Sequence, residues 1–246
     1  MARHQRDPYI NRPVVWVTGA SRGIGREIAK QFASIGSEVV LSARSKRDLQ
    51  SAVKEITQLG GRAYSFPMNI AEEQSILSTA RSIRKYLGDV QVLVNNAGIT
   101  VFKSFLETTL EEFDDIIDTN LEGPITCIKA VLPTMVKRKQ GWIFNILSNA
   151  AIKTFEGSAA YTATKAGLLG LTKVLREEMR RYNIKVVNVI PGATETEMWS
   201  TANRRKYAHR MMKAKSVAEA VLAAYQMPDD VVVDELVIRP IQGDID

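Results

Sequence analysis

Seven short apolar runs, rich in β-branched residues, recur along the chain and are separated by longer stretches of helical periodicity. They are VVWVTG at 14–19, EVVLSA at 38–43, RAYSFP at 62–67, VQVLVN at 90–95, GWIFNIL at 141–147, IKVVNVI at 184–190 and VVVDELVI at 231–238. This alternation fits repeated βαβ units, because neighbouring parallel strands need a crossover long enough to hold a helix. Strands so apolar also need cover on both faces. The pattern therefore predicts an α/β fold, a doubly wound seven-stranded parallel sheet with helices on both sides. Those helices are expected near 23–35, 45–59, 71–86, 109–139, 158–182 and 216–226, with 194–215 irregular or short-helical. Ser45, Thr109 and Ser216 suit helix N-caps, and Gly36, Gly60 and Gly88 suit helix stops.

Composition narrows the class further. A chain of 246 residues can bury about 70% of the surface its unfolded form exposes, so it needs neither disulfides nor metal to hold a core. No linker or internal repeat divides it, which predicts one domain over 13–246, a loose tail at 1–12 and a lid at 194–215. The single cysteine, Cys127, cannot form an intramolecular bridge, and a reducing compartment fits best. No apolar run approaches the roughly 20 residues of a membrane span, and the N-terminus lacks the hydrophobic core of a signal peptide. The expectation is a cytoplasmic protein with no membrane partner. A net charge of +6 permits nucleic-acid binding, but the basic residues are scattered and no binding motif accompanies them, so no nucleic-acid partner is expected. Their one local excess, Arg204 to Lys215, suits a solvated lid or the attraction of an anionic substrate. His4 and His209 have no partners at ligand spacing, and no metal site is expected.

Three features carry chemistry. The first strand ends in Thr18-Gly19-Ala20-Ser21-Arg22-Gly23-Ile24-Gly25 and runs into an amphipathic helix, placing three glycines at a strand-to-helix turn. Such a turn lets a pyrophosphate approach the backbone, and the helix N-terminus adds free N–H groups and partial positive charge. The second strand ends at Ser42-Ala43-Arg44, without the carboxylate that would hold a ribose 2′-hydroxyl; Arg44 and Arg22 instead suit the extra phosphate of NADP. The fourth strand runs into Asn95-Asn96-Ala97-Gly98, small and amide residues suited to close passage of a ribose or adenine. Tyr161 and Lys165 form the only Tyr-x-x-x-Lys in the chain and share one helix face, with Ser148 thirteen residues earlier. A phenol titrating near 10 needs a neighbouring ammonium to work as an acid or base near neutrality, and a serine hydroxyl can steady developing charge on a substrate oxygen.

Together these residues resemble the short-chain dehydrogenase/reductase family, in its branch of about 250-residue single-domain enzymes, over about residues 13–239. The likeness rests on TGASRGIG at 18–25, NNAG at 95–98, Asn120 in DTNLEG, Ser148, YTATK at 161–165 and PGATETEM at 191–198. It implies a Rossmann fold, NADP as cofactor and a reversible carbonyl reductase. It also implies Tyr161 as catalytic acid/base, Ser148 polarising the carbonyl, Lys165 lowering the tyrosine pKa and binding the nicotinamide ribose, and Asn120 holding a water in a proton relay. Cofactor contacts are expected from Gly19, Ser21, Arg22, Gly23, Ile24, Gly25, Arg44, Asn69, Asn96, Ala97, Gly98, Pro191, Gly192, Thr194 and Thr196. Asn69 stands where the family commonly has Asp. Ser148, Tyr161, Ile152, Phe155 and Trp199 are expected around the substrate, a small carbonyl or alcohol, and Phe102 could line the same apolar pocket. A 3-oxoacyl-thioester is the alternative substrate, and a non-catalytic dinucleotide sensor the alternative class. The family likeness further implies a homo-oligomer, tetramer or dimer, built on 109–139 and 158–182.

Overall fold

The computed structural model describes residues 12–245; most of the expected N-terminal tail lies outside them. Seven strands form one parallel sheet: β1 (Val14–Thr18), β2 (Glu38–Ala43), β3 (Arg62–Pro67), β4 (Val90–Asn95), β5 (Gly141–Ile146), β6 (Ile184–Pro191) and, last in the chain, β9 (Glu235–Ile238). Their order is β3-β2-β1-β4-β5-β6-β9. The winding therefore reverses at β1 and β4, and the crevice beyond the carboxyl ends of those strands is where ligands bind in such sheets.

Alternation along each strand feeds a separate core on each face. Val15, Val17, Phe144 and Val187 pack with Ile28 and Phe32 of α1 (Gly23–Ser34) and with Val217 and Val221 of α8 (Ala214–Tyr225). On the other face Val14, Trp16, Leu93 and Ile143 meet Ile76 and Ile83 of α3 (Glu73–Tyr86) and Val131 and Met135 of α5 (Gly123–Arg138). The helix α2 (Lys46–Gln58) starts from Ser45, whose hydroxyl accepts from Asp48, and α4 (Leu110–Ile117) starts from a capping box of Thr109 and Glu112. Gly36, Gly60 and Gly88 follow helices with positive φ, the conformation that ends a helix most cheaply with glycine.

The structure corrects four expected boundaries. The single helix expected at 109–139 is two, α4 and α5, joined by a π-turn at Asp118–Glu122. The last strand is four residues, not eight. Arg176 explains the loss: on α6 (Ala159–Met179) its guanidinium donates to the carbonyls of Val186 (2.9 Å) and Asp234 (2.6 Å), closing the ladder where it would otherwise continue. Within 194–215, β7 (Thr194–Glu195) pairs in parallel with β8 (Met212–Lys213), and α7 (Thr201–Tyr207) lies between them. This pairing holds the chain extended through Lys213, so α8 starts at Ala214 and Ser216 is not its cap. Among the described residues no helix is long and apolar enough to cross a membrane.

Candidate active site

The turn after β1 is held from within. The Thr18 hydroxyl accepts from the backbone N–H groups of Asn96 (3.0 Å) and Ala97 (3.1 Å), while the Asn96 amide donates to the carbonyls of Thr18 (2.9 Å) and Gly19 (3.1 Å). The two loops at the reversal point are thereby stitched together. Gly19 has φ +63°, and a Cβ there would lie 2.7 Å from the Ala97 Cα; one on Gly25 would run into the Asn96 amide and the Gly19 carbonyl. These two glycines are required by the protein itself, before any ligand is considered. The Asn96 side chain is likewise spent on the turn, which makes it a positioning residue.

What this stitching presents is the N-terminus of α1. Among the described residues no side chain caps it, its first turn holds no acidic residue, and its N-cap is Arg22 in extended conformation. Uncapped N–H groups at a glycine turn are an anion site. Arg22 borders a cleft of about 400 Å³ that also contains Arg26, Lys30, Glu27, Glu55, Glu195 and Glu197. Glu55 pairs with both Arg26 and Lys30. Arg22 and, after β2, Arg44 are exposed and make no ion pair among the described residues. Asn69 sits beyond β3 with its NH₂ donating to Glu72 (2.8 Å) and its oxygen accepting from Ala71 (3.3 Å). Only the second lone pair of that oxygen remains for an adenine amine.

The third wall comes from the other half of the chain. Pro191 ends β6; Gly192 donates to the Ile238 carbonyl (2.7 Å), and the buried Thr194 donates to the Gly192 carbonyl (3.0 Å). Thr196 then packs on the glycine turn, its Cγ2 lying 3.3 Å from where a Cβ on Gly23 would stand. Residues far apart in sequence, Gly23 and Thr196, thus enclose one space. Ser21, Ile24, Ala97 and Gly98 line the same turns, half-buried.

On α6, Tyr161 and Lys165 are 8% and 3% exposed. Lys165 Nζ donates to the Ile146 carbonyl (2.9 Å) and lies 5.7 Å from the centre of the Tyr161 ring. Ser148 starts a 3-10 turn, accepts from the Ala150 N–H (3.1 Å) and hydrogen-bonds toward Tyr161. The three groups therefore converge. Burial drives the phenol above its ordinary value, and the Ser148 hydroxyl pulls the other way. Burial also lowers Lys165 to about 8. Burial thus sets the direction for both groups, and Tyr161 rests protonated at neutral pH.

Asn120, fully buried, sits in the π-turn, a helix irregularity that recurs at functional sites. Its oxygen accepts from Ile99 (2.9 Å), and its NH₂ donates to the Ile99 carbonyl (2.9 Å) and to Thr164 Oγ1 (3.3 Å). It brackets the β4 loop to α6 at Thr164, the residue before Lys165, and both its amide protons are engaged. At the expected substrate wall, Trp199 stacks on Phe102 (6.4 Å, 29°), while Ile152 is 48% exposed and Phe155 lies under Lys153. Trp199 and Phe102 thus meet.

Sequence reasoning gave no role to a polar ladder beneath the site. Asn95 donates to Asn145 (3.0 Å), Asn145 to Asn188 (3.4 Å), and Thr172 to Asn188 (2.9 Å), all buried and in register across β4, β5 and β6. The signal was present: one Asn at the same height in three apolar runs.

Comparison with known proteins agrees with this geometry. Residues 13–207 match the model of the short chain dehydrogenase family. The sepiapterin reductase of Chlorobaculum tepidum is 34% identical over 94% of this chain and 98% of its own. A 3-oxoacyl-(acyl-carrier-protein) reductase of Staphylococcus epidermidis is 40% identical over 74% and 75%. A metagenomic short-chain oxidoreductase solved in complex with NADP superposes with a TM-score of 0.82 at 34% identity, covering 93% of this chain and 96% of that one. The chain belongs to the short-chain dehydrogenase family and is an oxidoreductase of that class.

Proposed function

We propose that this protein reduces a ketone or aldehyde to the alcohol, reversibly, with NADPH as hydride donor. One observation carries the reading: a buried, protonated Tyr161 stands beside Ser148 and Lys165 in the space bounded by an uncapped glycine turn. NADPH, when bound, supplies the hydride to the carbonyl carbon. The residues that would hold it are the α1 N-terminus for the pyrophosphate, Arg22 and Arg44 for the 2′-phosphate, Lys165 for the ribose and Thr196 for the carboxamide. The Ser148 hydroxyl, which accepts from the Ala150 N–H and hydrogen-bonds toward Tyr161, redirects its proton to the substrate oxygen when the carbonyl is bound. Tyr161 gives its proton to that oxygen as charge develops there. Lys165, charged below about pH 8, then stabilises the phenolate from its buried place beside the ring.

The names of the relatives support the cofactor and the direction, since two are reductases and one was solved with NADP. A 3-oxoacyl thioester remains the second substrate reading, favoured by the S. epidermidis likeness. A residence in the cytoplasm rests on the single buried cysteine, whose thiol burial pushes up and out of reactive range. Assembly as a tetramer or dimer rests on the exposed small face of α6, Ala163, Ala166, Gly167 and Gly170, ending in an exposed Val174. The segment 194–215 acts as the substrate lid. Initial rates with NADPH and NADH on acetoacetyl-CoA, pyruvate and benzaldehyde test the reading. Oxidation of NADPH, faster than of NADH, by at least one acceptor is expected; a binder of NADPH that oxidises it with no carbonyl would instead be a dinucleotide sensor.

A further inference from the structure

The last residues of the chain fold back over the site. After β9, Pro240 packs against Gly192, where a Cβ would lie 3.0 Å from its ring, and Gly243, at φ +82°, turns the chain as its N–H donates to the Pro240 carbonyl (2.9 Å). The turn delivers Asp244, with a side chain 11% exposed, to the segment that follows Ser148. There the Asp244 carboxylate accepts from Asn149 Nδ2 (2.8 Å), Arg239 (2.9 Å) and Lys153 Nζ (3.3 Å). Arg239 also donates to the Asn149 oxygen (2.9 Å), closing a three-membered ring of side chains. The backbone carbonyl of Asp244 accepts from Arg210 of the lid (2.7 Å).

We infer that Asp244 and Arg239 form a C-terminal latch that positions the Ser148 turn and the lid relative to each other. Asn149 adjoins Ser148, is 4% exposed, and its backbone carbonyl accepts from Ile152 and Lys153. Fixing its side chain at both ends fixes the turn that aims the serine hydroxyl. Arg210 ties the lid to the same residue through its backbone carbonyl. Three loops distant in sequence thus share one anchor, held by charge-assisted bonds that are shorter and stronger than neutral ones. Through these partners Asp244 acts as a positioning residue for the reduction proposed above, on which its kinetic role rests.

The test compares Asp244→Ala, Asp244→Glu and Arg239→Gln in the full chain. Amide exchange, read without substrate, should quicken about tenfold at 149–153 and 208–211 in Asp244→Ala and Arg239→Gln, with 18–25 unchanged. With NADPH and whichever carbonyl the wild type reduces fastest, kcat should fall about tenfold while NADPH affinity stays within about twofold, and Asp244→Glu should recover most of the loss. Unchanged exchange at both segments, or equal losses at the glycine turn and in NADPH affinity, would overturn the latch. Were the wild type to reduce no carbonyl, the proposed reaction would fall and exchange alone would decide the latch.

Discussion

The two halves of the site are built by different means. On the β1–β4 side, the glycine turn is held by backbone sterics and by Thr18 and Asn96, with contacts of the kind that leave no space for a methyl group. On the β5–β6 side, the Ser148 turn, the lid and the chain terminus are joined by side-chain pairs spanning up to ninety-five residues, from Asn149 to Asp244. The first half is close-packed and intolerant; the second is polar, partly exposed and adjustable. A fixed backbone turn suits binding one invariant group, and an adjustable polar region suits tuning for different substrates.

The largest effect that could break this contrast comes from the tight half. Gly25→Ala must displace the Asn96 amide or the Gly19 carbonyl, and should cost about 2–3 kcal/mol in a urea titration as well as NADPH affinity. An alanine tolerated without loss would mean the turn is looser than its contacts indicate. Next, Lys165 titrates at about 8 in the fold against 10.5 in an unfolded chain. The unfolded chain then holds the extra proton between those values, so stability should rise with pH from about 8 toward 10. The penalty is full below 8 and amounts to at most about 3 kcal/mol. Lys165→Met should flatten that rise when unfolding is compared at pH 7.5 and 9.5. Reductase activity should fall over the same range as the ammonium is lost.

How much of this was legible in the sequence follows the same division. Val14–Thr18, Glu38–Ala43 and the other sheet strands are marked by apolar runs, and the glycine turn by its spacing, because each depends on neighbours in sequence. The π-turn at Asp118–Glu122 was not visible, since one shifted hydrogen bond leaves the apolar spacing of 109–139 almost unchanged. The shortened last strand needed Arg176, some sixty residues away, and the β7–β8 pair needed two isolated dipeptides to meet. Tyr161, Lys165 and Ser148 could be named from spacing, but the direction of the tyrosine shift could not, because burial decides it. The anchor at Asp244 leaves no local pattern at all.

Smaller effects sharpen the contrast. If Arg44 holds the 2′-phosphate as proposed, Arg44→Ala should lower the preference for NADPH over NADH about tenfold with NADH rates little changed, since among the described residues its exposed side chain makes no ion pair. Trp199→Ala, which removes the stack on Phe102, should raise KM for aromatic aldehydes about threefold and leave the KM for NADPH in place.

The most direct measurement is Tyr161→Phe, which keeps the ring and removes the proton. NADPH oxidation by the best carbonyl acceptor should fall about 10²- to 10⁴-fold while NADPH binds within about twofold of the wild-type affinity. Turnover retained within tenfold, or NADPH binding lost in step with turnover, would contradict the assignment of the phenol as the proton donor.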